Sequence, residues 1–150
     1  MRVRAATTDD INTITTFNVM MAKETENKVL DVTTLTKGVT AILNDPSKGR
    51  YWLAENDHDV VGQIMVTWEW SDWRNGYFWW IQSVYVATNA RRGGVFSLML
   101  TEVIDAAKAS GDAVGVRLYV EKDNIAAIKT YDRAGFEDPN YRLLELTITN

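Results

Sequence analysis

The segment ARRGGVF (residues 90–96) joins the apolar stretch WWIQSVYVA (79–87) to SLMLTEVIDAAK (97–108), which has the apolar spacing of a helix. A helix that begins at this join exposes unpaired backbone N–H groups and the positive end of its dipole. The two arginines add bidentate donors, and the two glycines let a ligand approach the backbone closely. The join therefore predicts a site for a phosphate or pyrophosphate. The alternative is a glycine-rich turn with solvated arginines, and the pattern is neither a P-loop nor the dinucleotide-binding Gly-x-Gly-x-x-Gly.

Length and composition limit the classes of protein to consider. The chain has 150 residues and a formal net charge of −4, which fits one domain spanning 1–150 and argues against nucleic acid as a partner. It contains no cysteine and one histidine, His58, so we expect no thiol nucleophile, no disulfide and no metal site. The N-terminus lacks an apolar signal core, and no apolar run is long enough for a membrane span. We expect a soluble, cytoplasmic protein with no membrane partner.

The periodicity of the chain predicts an α/β protein. Strands are predicted over 2–6, 51–55, 60–70, 77–87, 114–121 and 141–148, and helices over about 10–23, 32–43, 94–110 and 124–134. A meander of strands is thus followed by strand–helix–strand–helix–strand. This order favours a single domain with a mixed, mostly antiparallel sheet flanked by helices.

A second group of residues lies on one face of the predicted helix 124–134. Asn124, Ala127 and Tyr131 are spaced i, i+3 and i+7. They offer an amide, a small residue that permits close approach, and a phenol with a donatable proton. The alternative is an asparagine N-cap, a small core residue and a tyrosine at the rim of the core.

Together, the two groups resemble the GNAT superfamily of acetyl-CoA-dependent N-acetyltransferases. The family's loop reads Arg/Gln-x-x-Gly-x-Gly/Ala, and this chain has RRGGVF at 91–96, differing at Phe96. The family's later helix reads Asn-x-x-Ala-x-x-x-Tyr-x-x-x-Gly-Phe, which NIAAIKTYDRAGF (124–136) matches at every position. The order of predicted elements also agrees, so the resemblance covers essentially the whole chain.

The resemblance implies where the coenzyme binds. In this family the central parallel strands splay apart, and the coenzyme arm pairs with strand backbone, here around Val84 and Val86. The acceptor amine attacks the thioester directly, and Tyr131 corresponds to the general acid that protonates the leaving thiolate. The coenzyme-binding residues that the resemblance implies are Val84, Tyr85, Val86, Arg91, Arg92, Gly93, Gly94, Val95, Phe96, Asn124, Ala127 and Tyr131.

The sequence offers several candidates for the residues that bind the acceptor amine. IQSVYV (81–86) resembles a segment of the diamine and polyamine acetyltransferases in which two acids hold or deprotonate the amine, but Gln82 and Ser83 replace them here. A water chain or Glu69 then receives the proton, with an exposed strand residue as the alternative reading of Glu69. Further candidates for acceptor binding are Glu24, Glu26, Trp70 and Trp80, although a solvated helix end and strand packing also explain them.

The sequence thus predicts an N-acetyltransferase that moves an acetyl group from acetyl-CoA to a primary amine of a small molecule, with catalytic candidates Tyr131, Gln82 and Glu69. We expect acetyl-CoA as co-substrate, no metal, and a homodimer. A non-catalytic acyl-CoA-binding or sensing module is the main alternative. An ordinary nucleotide-phosphate binder that uses only the loop is the third.

Overall fold

The computed structural model describes residues 1–149, and these fall into two compact units, Met1–Leu118 and the residues from Tyr119 onwards. The first unit holds β1 (Arg2–Ala5), α1 (Ile11–Glu26), α2 (Val32–Asn44), β2 (Arg50–Glu55), β3 (Val60–Ser71), β4 (Gly76–Val86), α3 (Val95–Ser110) and β5 (Ala113–Leu118). The second unit holds the helix α4 (Ile125–Arg133). Along residues 1–149, no helix combines the length and the apolar character that crossing a bilayer requires.

The strands form one five-stranded sheet in the order β1-β2-β3-β4-β5. The first four strands pair antiparallel as a meander, and β5 pairs parallel to β4. The tight turn between β3 and β4 contains Asn75 at φ 50°, a left-handed conformation that asparagine tolerates better than most residues. The mixed, mostly antiparallel α/β sheet is therefore confirmed.

The helices cover both faces of the sheet. The Gln63 amide on β3 donates to Asn18 Oδ1 on α1 at 3.3 Å. A Cβ atom on the neighbouring Gly62 would lie 3.1 Å from Val95 Cγ1 and Met99 Cε of α3. Because successive residues of a strand point to opposite faces, α1 and α3 lie on opposite faces of the sheet. A glycine at 62 allows α3 to lie close to β3.

The face that carries α1 and α2 has an apolar cluster with polar groups inside it. The apolar residues are Ile14, Val39, Tyr51, Leu53 and Met65. The Asn18 amide donates to the Tyr51 hydroxyl at 3.1 Å. Since Gln63 donates to Asn18 in turn, the three polar side chains form a buried chain of hydrogen bonds that fixes α1 against β2 and β3.

An ion pair fastens the N-terminal strand to the start of α1. The Arg4 guanidinium donates to both carboxylate oxygens of Asp10 at 2.9 Å. The Thr7 N–H donates to the same carboxylate, which completes a capping box. Asp10 is buried, and the hydrogen bond from Arg4 holds the pKa of its carboxyl below the usual value.

The end of the chain differs from its prediction. The strand predicted over 141–148 is absent, because residues 141–149 have no regular secondary structure. β5 also ends at Leu118, three residues before the predicted 121. A strand requires a neighbour that accepts and donates its backbone hydrogen bonds, and residues 141–149 pair with no strand in the described part of this single chain.

Candidate functional site

The parallel strands β4 and β5 pair only along part of their lengths. Their register runs from Tyr77 opposite Ala113 to Ile81 opposite Leu118, where β5 ends. β4 continues from Gln82 to Val86 and remains paired with β3 on its other edge. The strand therefore has a terminal half whose second edge has no strand beside it in the described chain. The resemblance implied that these two strands splay apart, and their pairing ends after Ile81 and Leu118.

A β-bulge lies where the two halves of β4 meet. Met65 pairs with Ser83 while the next residue of β3, Val66, pairs with Ile81. Gln82 is therefore the extra residue on β4, with no partner of its own on β3. Bulges bend a strand and increase its twist, and this one lies at the point where β4 parts from β5.

The backbone groups of Val84 and Val86 point toward the uncovered edge. The N–H of Ala87, which follows β4, donates to the Val61 carbonyl of β3 at 2.8 Å. Because residues in an antiparallel pair alternate between bonding their partner and facing away from it, Val84 and Val86 face away from β3. Their N–H and C=O groups therefore point to the edge of β4 that has no strand beside it in the described chain, where the Val86 carbonyl accepts a hydrogen bond from Arg91 Nε at 2.9 Å.

The N-terminus of α3 follows this edge in the chain. Its N-cap is Gly94, which has φ 80° and makes no side-chain capping hydrogen bond. A Cβ atom at Gly94 would meet no heavy atom within 4 Å, so the space beside this N-cap is open. Arg92 also adopts a left-handed conformation, with φ 66°, and is exposed. Val95 is buried against the sheet, while Phe96 is half-buried.

Arg91 contacts two elements of the first unit, α1 and β4. Its Nη2 lies 2.7 Å from Glu24 Oε2 near the end of α1, and its guanidinium lies 5.6 Å from the ring centroid of Tyr85. Tyr85 in turn packs against Phe17 of α1, with 5.0 Å between ring centroids. The hydrogen bond to Glu24 raises the pKa of Arg91, which is cationic at any physiological pH. Two residues that the sequence assigned to different ligands, Arg91 and Glu24, thus contact each other.

The polar candidates on β3 and β4 each have a partner. Gln82 is exposed, and its amide donates to Thr67 Oγ1 at 2.7 Å. Glu69 accepts from Arg117 Nη1 at 2.9 Å, and the Arg117 guanidinium lies 3.5 Å from the Phe78 ring centroid. Both candidates are therefore already hydrogen-bonded to other side chains of the sheet.

The tryptophans of the hairpin have different environments. Trp79 is buried and packs edge-on against Trp68 at 5.9 Å, which accounts for both as packing residues. Trp70 is 53% exposed and packs edge-on against Tyr77 at 4.9 Å. Trp80 is half-buried, so Trp70 is the more accessible of the two tryptophans proposed for acceptor binding.

The remaining acceptor candidates lie at separate places. Ser83 is half-buried on β4, immediately after the bulge. Glu26 is exposed at the end of α1 and forms a long ion pair of 3.8 Å with Lys28. Glu26 therefore lies at a solvated helix end.

The second unit carries the other predicted group. Asn124 is the N-cap of α4, and its Oδ1 accepts from the Ala127 N–H at 3.2 Å. Tyr131 packs edge-on against Phe136, with 5.5 Å between ring centroids. Both Ala127 and Tyr131 are half-buried, and burial raises the pKa of the Tyr131 phenol above its usual value of about 10. The phenol is therefore protonated at neutral pH and can act as an acid.

Three partners of the site residues were not predicted from the sequence. Thr67 holds Gln82, Arg117 holds Glu69, and Phe17 supports Tyr85. Only Arg117 has a local signal, because it is a lone cation in the apolar strand AVGVRL (113–118). Contacts of this kind depend on the register between strands that are distant in sequence.

The chain matches the description "Acetyltransferase (GNAT) family" over residues 19–136. A possible acetyltransferase from Clostridium difficile 630, of known structure, is 46% identical, with a TM-score of 0.93 over 99% of this chain and 98% of that one. An integron cassette protein from the mobile metagenome of Cole Harbour Salt Marsh is 24% identical, with a TM-score of 0.86 over 99% of this chain and 91% of the other, and shows the shared fold alone.

A shorter match is to the mycothiol acetyltransferase of Mycolicibacterium vanbaalenii, which is 49% identical over 49 residues. That match covers 32% of this chain and only 16% of the relative. Residues 1–149 contain no group of three or more side chains able to hold a metal ion. The family match over most of the chain, together with the splayed strands and the uncapped helix after them, shows that the protein belongs to the GNAT acetyltransferase family.

Proposed function

We propose that the protein transfers an acetyl group from acetyl-CoA to a primary amine of a small molecule. Members of this family use acetyl-CoA as the acetyl donor. The observation that carries the proposal is the edge of β4 at Val84 and Val86, which no strand covers in the described chain, together with the N-terminus of α3 a few residues later, which has no side-chain cap. An extended amide-containing arm that ends in a pyrophosphate needs this pair of features.

The coenzyme's two parts have separate sites in this proposal. The amides of the pantetheine arm add to the edge of β4 as a short strand would, and bond to Val84 and to the Val86 N–H. The pyrophosphate binds the first-turn amides of α3, near Gly94, with charge from Arg92 and Arg91. The open space at the Gly94 Cβ position leaves room for close approach of an anion to the backbone.

Arg91 supplies charge for the pyrophosphate and also holds two elements of the first unit together. It donates to the Val86 carbonyl and to Glu24, so it joins the end of β4 to the end of α1. The Val86 carbonyl is thereby already bonded, and the Val86 N–H and the backbone of Val84 remain for the coenzyme arm. This refines the pairing expected around those two residues.

The transfer itself is a direct displacement. The amine lone pair attacks the thioester carbonyl carbon and the N–C bond forms. The C–S bond breaks with release of the CoA thiolate, and the nitrogen loses one proton to water as the amide forms. Tyr131 donates its proton to that sulfur, in agreement with its place in the family motif and with a pKa that keeps the phenol protonated. Binding both substrates in one orientation supplies much of the rate.

The amine must lose a proton to become a nucleophile. Glu69 is paired with Arg117, and the Gln82 amide has no useful basicity. We propose that water carries the proton away, and that Gln82, held by Thr67, orients this water or the acceptor. Ser83 and the exposed ring of Trp70 provide further contacts for the acceptor, and Trp80, Glu24 and Glu26 are secondary candidates.

The proposal is tested by release of free CoA thiol from acetyl-CoA in the presence of a panel of primary amines. Acetylated amine and free thiol should form in equal amounts. Tyr131→Phe should lower kcat about 100-fold or more and leave acetyl-CoA binding almost unchanged. Tight acetyl-CoA binding with no turnover on any amine would instead favour the acyl-CoA sensing module. Competition by ATP as strong as by CoA would favour a nucleotide-phosphate binder.

A further inference from the structure

One face of α1 is turned toward the end of β4 and the loop that follows it. Phe17, Met20 and Glu24 are spaced i, i+3 and i+7, so they lie on one face of the helix. Phe17 packs against Tyr85, and Glu24 forms an ion pair with Arg91. Met20 lies between these two contacts along the helix, about one turn from each. It is therefore close to the arginine that we assign to the pyrophosphate.

The sulfur of Met20 is the last acceptor in a short chain of hydrogen bonds. The Tyr85 hydroxyl donates to Met20 Sδ at 3.9 Å, and the Arg91 guanidinium lies 5.6 Å from the centroid of the same ring. The pKa of Arg91 is raised mainly by the hydrogen bond to Glu24, and to a smaller extent by a hydrogen bond to the Tyr85 hydroxyl. The phenol oxygen of Tyr85 thus accepts from Arg91, while its proton is directed to the sulfur.

Met20 is also accessible to small molecules in the solvent. Its side chain is 40% exposed, whereas Met65 is 8% exposed and Met99 is fully buried. Oxidation of methionine converts an apolar thioether into a polar sulfoxide, and exposed side chains are the more susceptible. A dissolved peroxide can therefore reach Met20 but not Met65 or Met99.

The distance from Tyr85 to the sulfur matches the addition of one oxygen atom. Sulfur is a weak hydrogen-bond acceptor, and 3.9 Å exceeds the usual length of an O–H···O bond by about 1.2 Å. A sulfoxide oxygen bonded to Met20 Sδ and directed at Tyr85 would accept the hydroxyl proton at close to the usual length. Oxidation therefore replaces a long, weak hydrogen bond by a short, strong one.

We propose that Met20 is an oxidation site, at which a peroxide converts the thioether to a sulfoxide and thereby weakens coenzyme binding. With hydrogen peroxide, the O–O bond breaks, one oxygen atom bonds to Sδ, and water leaves. The sulfur loses two electrons, which the peroxide gains.

The hydrogen-bond chain carries the effect from the sulfur to the coenzyme site. The sulfoxide polarises the Tyr85 O–H bond, so the phenol oxygen accepts a stronger hydrogen bond from Arg91. Arg91 is then held more firmly against Tyr85 and is less able to turn toward the pyrophosphate. This effect on coenzyme binding rests on the proposed function, whereas the chemistry at the sulfur does not.

The first test needs no coenzyme. The protein is treated with hydrogen peroxide at rising concentration, and mass spectrometry of its peptides locates the added oxygen. Met20 should be oxidised well before Met65 and Met99. Oxidation of these three methionines at equal rates would refute the proposed site.

The S=O stretching band of the oxidised protein tests the hydrogen bond from Tyr85. The band of the Met20 sulfoxide is obtained by subtracting the infrared spectrum of the oxidised Met20→Leu variant. It should lie at lower frequency in the wild type than in a Tyr85→Phe background, because an accepted hydrogen bond weakens the S=O bond. The same frequency in both backgrounds would contradict the proposal.

Calorimetric titration with CoA measures the consequence for binding. The oxidised wild type should bind CoA roughly 3- to 10-fold more weakly, the size of one weakened hydrogen bond to a charged group. Methionine sulfoxide reductases for both epimers should restore the affinity. Met20→Leu is the matched control, because it keeps an apolar side chain of similar size, and its Kd should be the same before and after peroxide treatment.

Tyr85→Phe separates the hydrogen bond from general damage to the packing of α1. This variant keeps the ring but lacks the hydroxyl, so oxidation of Met20 should change its CoA affinity less than twofold. An equal loss of affinity in this variant and in the wild type would overturn the proposal, as would full oxidation of Met20 in the wild type with unchanged affinity. Absence of CoA binding before oxidation would count against the proposed function, and the infrared comparison would still decide the chemistry at Met20.

Discussion

The ion pair between Arg91 and Glu24 makes a prediction about coenzyme affinity. Arg91 Nη2 lies 2.7 Å from Glu24 Oε2, so a carboxylate stands beside a cation that we assign to the pyrophosphate. Glu24→Gln removes this competing negative charge and keeps the shape of the side chain. We therefore expect the Glu24→Gln variant to bind CoA more tightly than the wild type.

The expected size follows from distance and exposure. The relevant interaction is the repulsion between the Glu24 carboxylate and the bound pyrophosphate. Two unit charges roughly 6 Å apart interact by about 0.7 kcal/mol in water and by about 3 kcal/mol at an effective dielectric constant of 20. The Arg91 and Glu24 side chains are 43% and 40% exposed, so the lower end of this range applies. A gain of about 0.5 to 1 kcal/mol corresponds to a Kd lower by roughly 2- to 5-fold.

Calorimetric titration with CoA at low salt measures this effect, and repetition at high salt should reduce it, because salt screens exposed charges. The matched control is Glu26→Gln, which changes the net charge by the same amount but removes a carboxylate whose ion pair is with Lys28. Its CoA affinity should change much less than that of Glu24→Gln. Weaker CoA binding by Glu24→Gln would refute the reasoning and show that Glu24 serves to hold Arg91 in place.

Three further variants test other parts of the structure. Gly94→Val should weaken CoA binding, measured in the same titration, about 10-fold or more. The control is Gly111→Val, at the end of α3, where the glycine has a similar positive φ. It should lose the same roughly 1 to 2 kcal/mol of folding stability but keep its CoA affinity. Gln82→Ala should lower kcat/KM less than Tyr131→Phe lowers kcat, and the rate should rise with pH toward the pKa of the acceptor, without an acceptor-independent pKa between about 6 and 7.5. Asp10→Asn should reduce the free energy of unfolding by about 2 kcal/mol at neutral pH, because it weakens hydrogen bonds between charged groups. Because the folded pKa of Asp10 is lowered, the advantage of the wild type is present above the unfolded pKa of about 3.9 and disappears as pH falls through the folded value, which denaturant titrations at several pH values would reveal.

Local patterns were sufficient to predict most of the fold. The Asn75-Gly76 pair, which favours a tight turn, and the glycines at both ends of α3 are signals in adjacent residues, and the structure has a turn and helix ends at these places. The strand over 141–148 also has a local pattern, but the described single chain offers it no neighbour. A strand depends on its partner as well as on its own residues.

The site was predictable from the sequence where its residues are contiguous. The loop at 91–96 and the motif from Asn124 to Phe136 are contiguous, so the sequence placed them without knowledge of the fold. The pairing of Glu69 with Arg117 depends on which residues of β3, β4 and β5 lie side by side. A bulge shifts that register by one residue, and nothing local predicts the bulge at Gln82.

The bulge at Gln82 also restricts how the β4 strand can evolve. Tyr85 lies opposite Gln63 and points to the α1 face only because one extra residue precedes it. Loss of any single residue between Ile81 and Tyr85 would turn the tyrosine to the other face and remove it from Phe17 and Arg91. The length of this strand is therefore constrained, and alignments of relatives should show no gaps between Ile81 and Tyr85.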